Sequence, residues 1–149
     1  MLNRSGRATT RRTADRGSAL LLMPACVLVL VVLASIAVDM ALVHLRQRQA
    51  LDVAAGAAND AVTAGVDTAA LRRGTYVVEP GAARDVVARS VAASEVAPHL
   101  VGPPQVTVDG ETVSVRLTVR ADHLFTGVMP GVPDATTVTA SASATAVEP

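Results

Sequence analysis

The chain has 149 residues, of which 50% are hydrophobic, 17% charged and 1% aromatic, with one cysteine and a formal net charge of zero. That length holds one small domain and excludes a large multi-domain enzyme. All 13 basic residues are arginine, and the charges are unevenly placed: residues 1–16 carry five Arg against Asp15 alone, residues 39–74 balance four Arg with four Asp, and residues 75–149 set four Arg against eight acids. Tyr76 and Phe125 are the only aromatics. A nucleic-acid partner is therefore not expected, since it calls for a basic folded face with stacking platforms.

Residues 1–16, rich in Ser, Thr, Gly and Ala and carrying Arg4, Arg7, Arg11, Arg12 and Arg16, have nothing to build a core with and read as a disordered basic head. Gly17 to Val38 is a run of 22 residues without a charge. As a helix at ~1.5 Å per residue it spans ~33 Å, the thickness of a bilayer's hydrocarbon core. Internal hydrogen bonding makes an unbroken helix the economical form in lipid, with Pro24 tolerated near its start. The five arginines before it should stay in the cytoplasm and place residues 39–149 outside. The alternative is a cleavable secretory signal ending near Ser35 and Ala37, but the run exceeds the ~7–15 residues of such a signal's apolar region and the helical pattern continues beyond it. Cys26 has no second cysteine to pair with and reads as a lipid-facing or packing residue.

Residues 39–73 keep helical periodicity, with Leu51, Ala54, Ala55, Ala58, Ala61, Val62 and Gly65 on one stripe. Ala57, Ala61 and Gly65 recur every four residues, a spacing that lets two helix backbones approach closely and makes self-association through this helix one expectation; chance spacing in an alanine-rich chain is the other. Asp39 is read either as the acidic residue at the membrane exit or as a buried partner for a basic group.

Residues 74–149 form the expected small exported domain. Thr75 to Glu79 reads as a short strand, and Gly81 to Val96 as a helix with Ala83, Val86, Val87, Ala93 and Val96 on one side and an Asp85–Arg89 pair at i,i+4. Val106 and Val108, then Asp109-Gly110, then Val113, Val115, Leu117, Val119 and Ala121 alternate with polar residues and predict a hairpin. After a Gly/Pro-rich loop (Thr126 to Asp134), Val138, Ala140, Ala142, Ala144 and Ala146 alternate with Thr and Ser as a last strand, an edge strand suited to packing against another copy or a related subunit. The class is α+β: a long helix, then strand, helix, hairpin and strand.

Catalytic and metal chemistry are not expected. His44, His99 and His123 lie in separate segments without partners at ligand spacing. Asp122 and His123 are strand neighbours that face opposite sides, and Gly127 and Gly131 are interleaved with Pro130 and Pro133, which suits turns better than a phosphate cradle. No cofactor or small-molecule substrate is indicated. An anchored or secreted binding module using the loop Leu124 to Asp134 is the alternative reading of the domain, and it requires residues 75–149 to be stable alone.

Asp15 to Asp60, with Arg16-Gly17-Ser18 opening the apolar run, Ala37-Val38-Asp39 closing it and Arg48-Gln49-Ala50-Leu51 leading into Ala57-Ala58-Asn59-Asp60-Ala61, resembles the TadE/TadG-like family, in an all-arginine actinobacterial form. The resemblance covers about the first third of the chain, with a general likeness of the β-rich tail. It implies a non-enzymatic, pilin-like membrane component of a tight-adherence (Flp) pilus or related secretion system, with other such subunits as partners and a small pilin-like αβ domain. It also implies a prepilin-type processing point between Gly17 and Ser18. Leu22 stands where pilins of this kind carry glutamate at the fifth mature position, which favours the uncleaved TadG-like anchor.

Overall fold

In the computed structural model, the described residues are 11–72, 74, 77–125, 131 and 133–146, with side-chain surroundings from Leu22 onward. Arg4 and Arg7 lie outside them, as do Thr75, Tyr76 and most of the loop 126–132. The chain forms two compact units, one up to Val38 and one from Asp39.

Helix α1 runs from Arg11 to Ala64, with Pro24 in its interior and not, as expected, near its start. Arg11, Arg12 and Arg16 therefore belong to the helix instead of to a disordered head, and Gly17 and Ser18 lie within it too. From Leu22 to Val38 no residue is buried. The described helix from Leu22 to Ala64 is long and apolar enough to cross a membrane. At Asp39 the pattern changes. Asp39, Ala50, Ala54, Ala57, Ala58, Ala61 and Val62 are buried while the residues between them are exposed or half-buried, so one stripe of the helix packs on the second unit. Leu51 and Ala55, expected on that stripe, are exposed; the buried line is offset toward Ala50 and Ala57.

The sheet has three strands in the order β1 (Gln105–Asp109), β2 (Thr112–Asp122), β3 (Ala135–Thr145), all antiparallel. The hairpin forms as the alternation predicts, but Asp109 pairs with Thr112, so its two loop residues are Gly110 and Glu111. Gly110 has φ +58° and Glu111 is not left-handed, the pattern of a type II′ turn, which asks for a positive φ only at its first central position. Val113, Val115, Leu117, Val119 and Ala121 are fully buried on the inner face of β2. Val113, Val115 and Leu117 share a core with Ala54, Ala57, Ala58 and Ala61 of α1, and Val119 shares another with Ala50 and Ala140.

Of the expected strand at 75–79, Thr75 and Tyr76 lie outside the described residues, and Val77 to Glu79 are not part of the sheet. Val78 makes one isolated bridge to Val66, fixed by N–H bonds from Asp67 to the Val77 carbonyl (2.9 Å) and from Glu79 to the Gly65 carbonyl (2.8 Å). It goes no further because Glu79 turns the chain into helix α3 (Pro80–Ala92): its carboxylate accepts from the Gly81 and Ala82 N–H groups at 2.9 and 2.5 Å, and Pro80 fits the first helical turn. These bonds hold the Glu79 carboxyl below its usual pKa. A short helix α2 (Thr68–Leu71), capped by Asp67, lies between the two residues of this bridge. Helix α3 ends four residues before Val96, where Ser94 takes up the Val91 carbonyl through both its N–H (3.1 Å) and its hydroxyl (2.7 Å). Its buried face is Ala83, Val87 and Val91, and Arg89 Nε donates to the backbone carbonyl of Asp85 instead of pairing with the carboxylate.

Small side chains on α1 set the spacing of this core. Ala61 is fully buried against residues of β2 and the Val78 bridge, so Ala61→Leu should overpack it and cost ~1–3 kcal/mol, measurable by denaturant unfolding of the detergent-solubilised protein. Unchanged stability would take Ala61 out of the core.

Candidate functional site

Two features of the second unit have the character of interaction surfaces. The first is the end of the domain where the chain leaves the apolar run. Asp39 is only 4% exposed. Its Oδ1 accepts from the Leu124 N–H at 2.8 Å and the Phe125 N–H at 3.2 Å, and its Oδ2 accepts from the Phe125 N–H at 3.3 Å. A buried carboxylate needs such donors to offset its lost hydration. Asp39 is thus buried, with the backbone amides of Leu124 and Phe125 among its donors. The bonds hold the start of the 124–134 loop against the helix. Leu124 and Phe125 are exposed all the same, at 65% and 46%.

Behind this tip lies a polar cluster. Arg120 Nε donates to Asp122 at 2.8 Å and its Nη2 to Asp134 at 3.0 Å, which raises the Arg120 pKa and lowers that of Asp122. His99 and Arg46 add smaller positive fields at Asp122. The His123 ring is 2.9 Å from the Thr136 hydroxyl, so the neighbouring Asp122 and His123 serve different partners. Among the described residues, no three His, Cys, Asp or Glu side chains converge as a metal-ion site would require.

The second feature is the outer edge of β3. Ala135 to Thr145 pairs with β2 over its whole length without a bulge and contains no charge, proline or glycine. On its far side, no described residue makes a backbone bond to it, whereas β1 at the other edge has α3 beside it. Natural sheets protect such edges with charge, proline, bulges or a cover, and this one has none of them among the described residues. The solvent face of the sheet is a field of hydroxyls, with Thr112 and Thr145 joined at 2.9 Å.

The other sites suggested by sequence fall elsewhere. Ala57 and Ala61 are fully buried in the chain's own core and so are not on a surface open to a second copy. The reason is that the sheet has already taken the small-residue face. Gly65 follows the end of α1, and a Cβ there would meet the Ala61 carbonyl and come within 3.0 Å of Val78, so its lack of a side chain serves the close return of the chain. The side chains of Arg11, Arg12, Arg16, Gly17 and Ser18 are outside the description. Between α1 and α3 lies an open groove of about 590 Å³ lined by Asn59, Asp60, Thr63, Arg89 and Ser90, where the Ser90 hydroxyl donates to Asp60 at 3.0 Å.

Asp39 and its amides could not be paired from sequence, because 85 and 86 residues separate them. β3 was legible both as an alternating strand and as an edge strand, and it lies at the edge of the sheet. No protein-family model, curated protein or solved structure matches the chain.

Proposed function

We propose that the chain is a non-enzymatic, membrane-anchored, pilin-like component of a Tad/Flp-type pilus assembly or secretion apparatus. One helix crosses the membrane, the arginine-rich head is cytoplasmic and the α+β domain stands outside. The observation that carries the reading is the combination in one chain of a charge-free helical run with a small domain whose 11-residue edge strand lacks a described partner. The resemblance of Asp15 to Asp60 to TadE/TadG-like proteins supplies the kind of machine.

Within the second unit the helix runs antiparallel to β2 and alongside β3. The outer edge of β3 suits a strand supplied by a neighbour, most simply a related subunit.

The test is purification of the full-length protein from its own membranes in mild detergent after cross-linking. Wild type should bring envelope subunits with it. Thr139→Lys combined with Ser143→Lys, both exposed on β3, should lose most of that material while unfolding within ~0.5 kcal/mol of wild type. A monodisperse, partnerless wild-type protein would overturn the proposal.

A further inference from the structure

We infer that the solvent face of the sheet carries a phosphate-binding site centred on Arg116. Strand register assembles it. Arg116 of β2 lies directly opposite Gln105 of β1 on one side and Ser141 of β3 on the other, and in the next row Ser114 stands between Thr107 and Ser143. Directly opposed residues have Cβ atoms ~5 Å apart, and same-face neighbours along a strand are ~7 Å apart, so hydrogen-bonding side chains from all three strands surround one point. Gln105, Thr107, Ser114, Arg116 and Ser141 line a depression of about 130 Å³ there. All five are exposed.

The guanidinium at its centre has no counter-charge within the described residues. No hydrogen bond or ion pair joins Arg116 to any of them, whereas Arg120, further along the same face of β2, is bonded to both Asp122 and Asp134. The carboxylates on this face of the strands are distant: Asp109 sits opposite Thr112, ~13 Å along the strand from Arg116, and Asp122 lies ~20 Å away, already engaged. Between them stand neutral Ser, Thr and Gln side chains. A cation ringed by neutral donors suits an oxyanion, and the guanidinium fork can hold two oxygens of one at once. Around it the hydroxyls and the Gln105 amide lie in two rows, out of any single plane, which fits the tetrahedral oxygens of a phosphate better than the flat pair of a carboxylate. Neither aromatic of the chain is in a strand, so nothing on this face stacks a sugar or base ring. The depression has room for roughly four waters at ~30 Å³ each. What it takes is the phosphate group itself, free or at the end of an esterified chain.

The test is a titration of the full-length protein in a non-ionic detergent, followed by NMR at the Arg116 Nε–H group and at the backbone amides of Ser114 and Ser141. Sodium chloride is exchanged for the probe at constant ionic strength, so that general screening is held fixed. Inorganic phosphate should give saturable shifts in the millimolar range, several-fold tighter than acetate. Arg116→Gln should abolish the saturable response, and Arg116→Lys, which keeps the charge without the fork, should weaken it several-fold. Ser141→Ala should weaken it less. Both positions are exposed, so amide spectra away from the sheet face should be unchanged in all three variants. Glycerol phosphate separates the two sources: binding tighter than inorganic phosphate assigns the end of an esterified chain, a response to inorganic phosphate alone assigns the free anion, and either supports the site. Shifts that never saturate, shifts that persist in Arg116→Gln, or acetate binding as tightly as phosphate would each overturn the inference. None of these outcomes bears on the membrane-anchor reading, which co-purification tests separately.

Discussion

A fragment of residues 75–149 should be unfolded in solution, whereas residues 39–149 should unfold cooperatively. The sheet buries Val113, Val115, Leu117 and Val119 completely, and much of what covers them comes from Ala50, Ala54, Ala57, Ala58, Ala61 and Val62 of α1. Deleting the helix returns four large aliphatic side chains to water at ~1.5–3 kcal/mol each. A small domain has a total stability of only ~5–15 kcal/mol, and one of this size falls at the low end. The expected result is a circular dichroism signal without a melting transition for the short fragment and a sigmoidal one for the longer. Cooperative melting of 75–149 would show that the strands and α3 suffice without α1, and would favour a freestanding binding module.

Replacing Asp39 by leucine should cost ~1–3 kcal/mol and strip hydrogen-exchange protection from Leu124 and Phe125, because both amides lose an acceptor that partial burial does not let water replace fully. Asp39→Asn should fall between leucine and wild type, since it keeps one acceptor oxygen. The readout is local: amides in β2 should exchange as before once the global loss is allowed for. If exchange at 124 and 125 is unaltered by leucine, the carboxylate does not hold the loop.

The same residues show where sequence reading ends. Alternation at Val113 to Ala121 was enough for β2, because a period of two admits one assignment of faces. The run at Thr75 to Glu79 carried the same apolar character and became a single bridge, since the Glu79 cap and Pro80 start a helix where a strand would need to continue. Glutamate is not among the favoured capping residues, so that signal was easily passed over. The Ala57 and Ala61 spacing correctly marks a face for close approach, but spacing alone does not distinguish a second copy from the chain's own sheet.

By itself the sequence determined the elements whose cause is local: a helix from an uncharged apolar run, a hairpin from alternation about Asp109-Gly110, and an α+β class from their order. The tertiary structure decided the rest: that residues 39–64 belong to the domain core and that Asp39 bonds amides 85 and 86 residues away. Each of these depends on which surfaces meet after the chain has turned back on itself. Side-chain periodicity states that a face must be covered; only packing over long sequence separations selects what covers it.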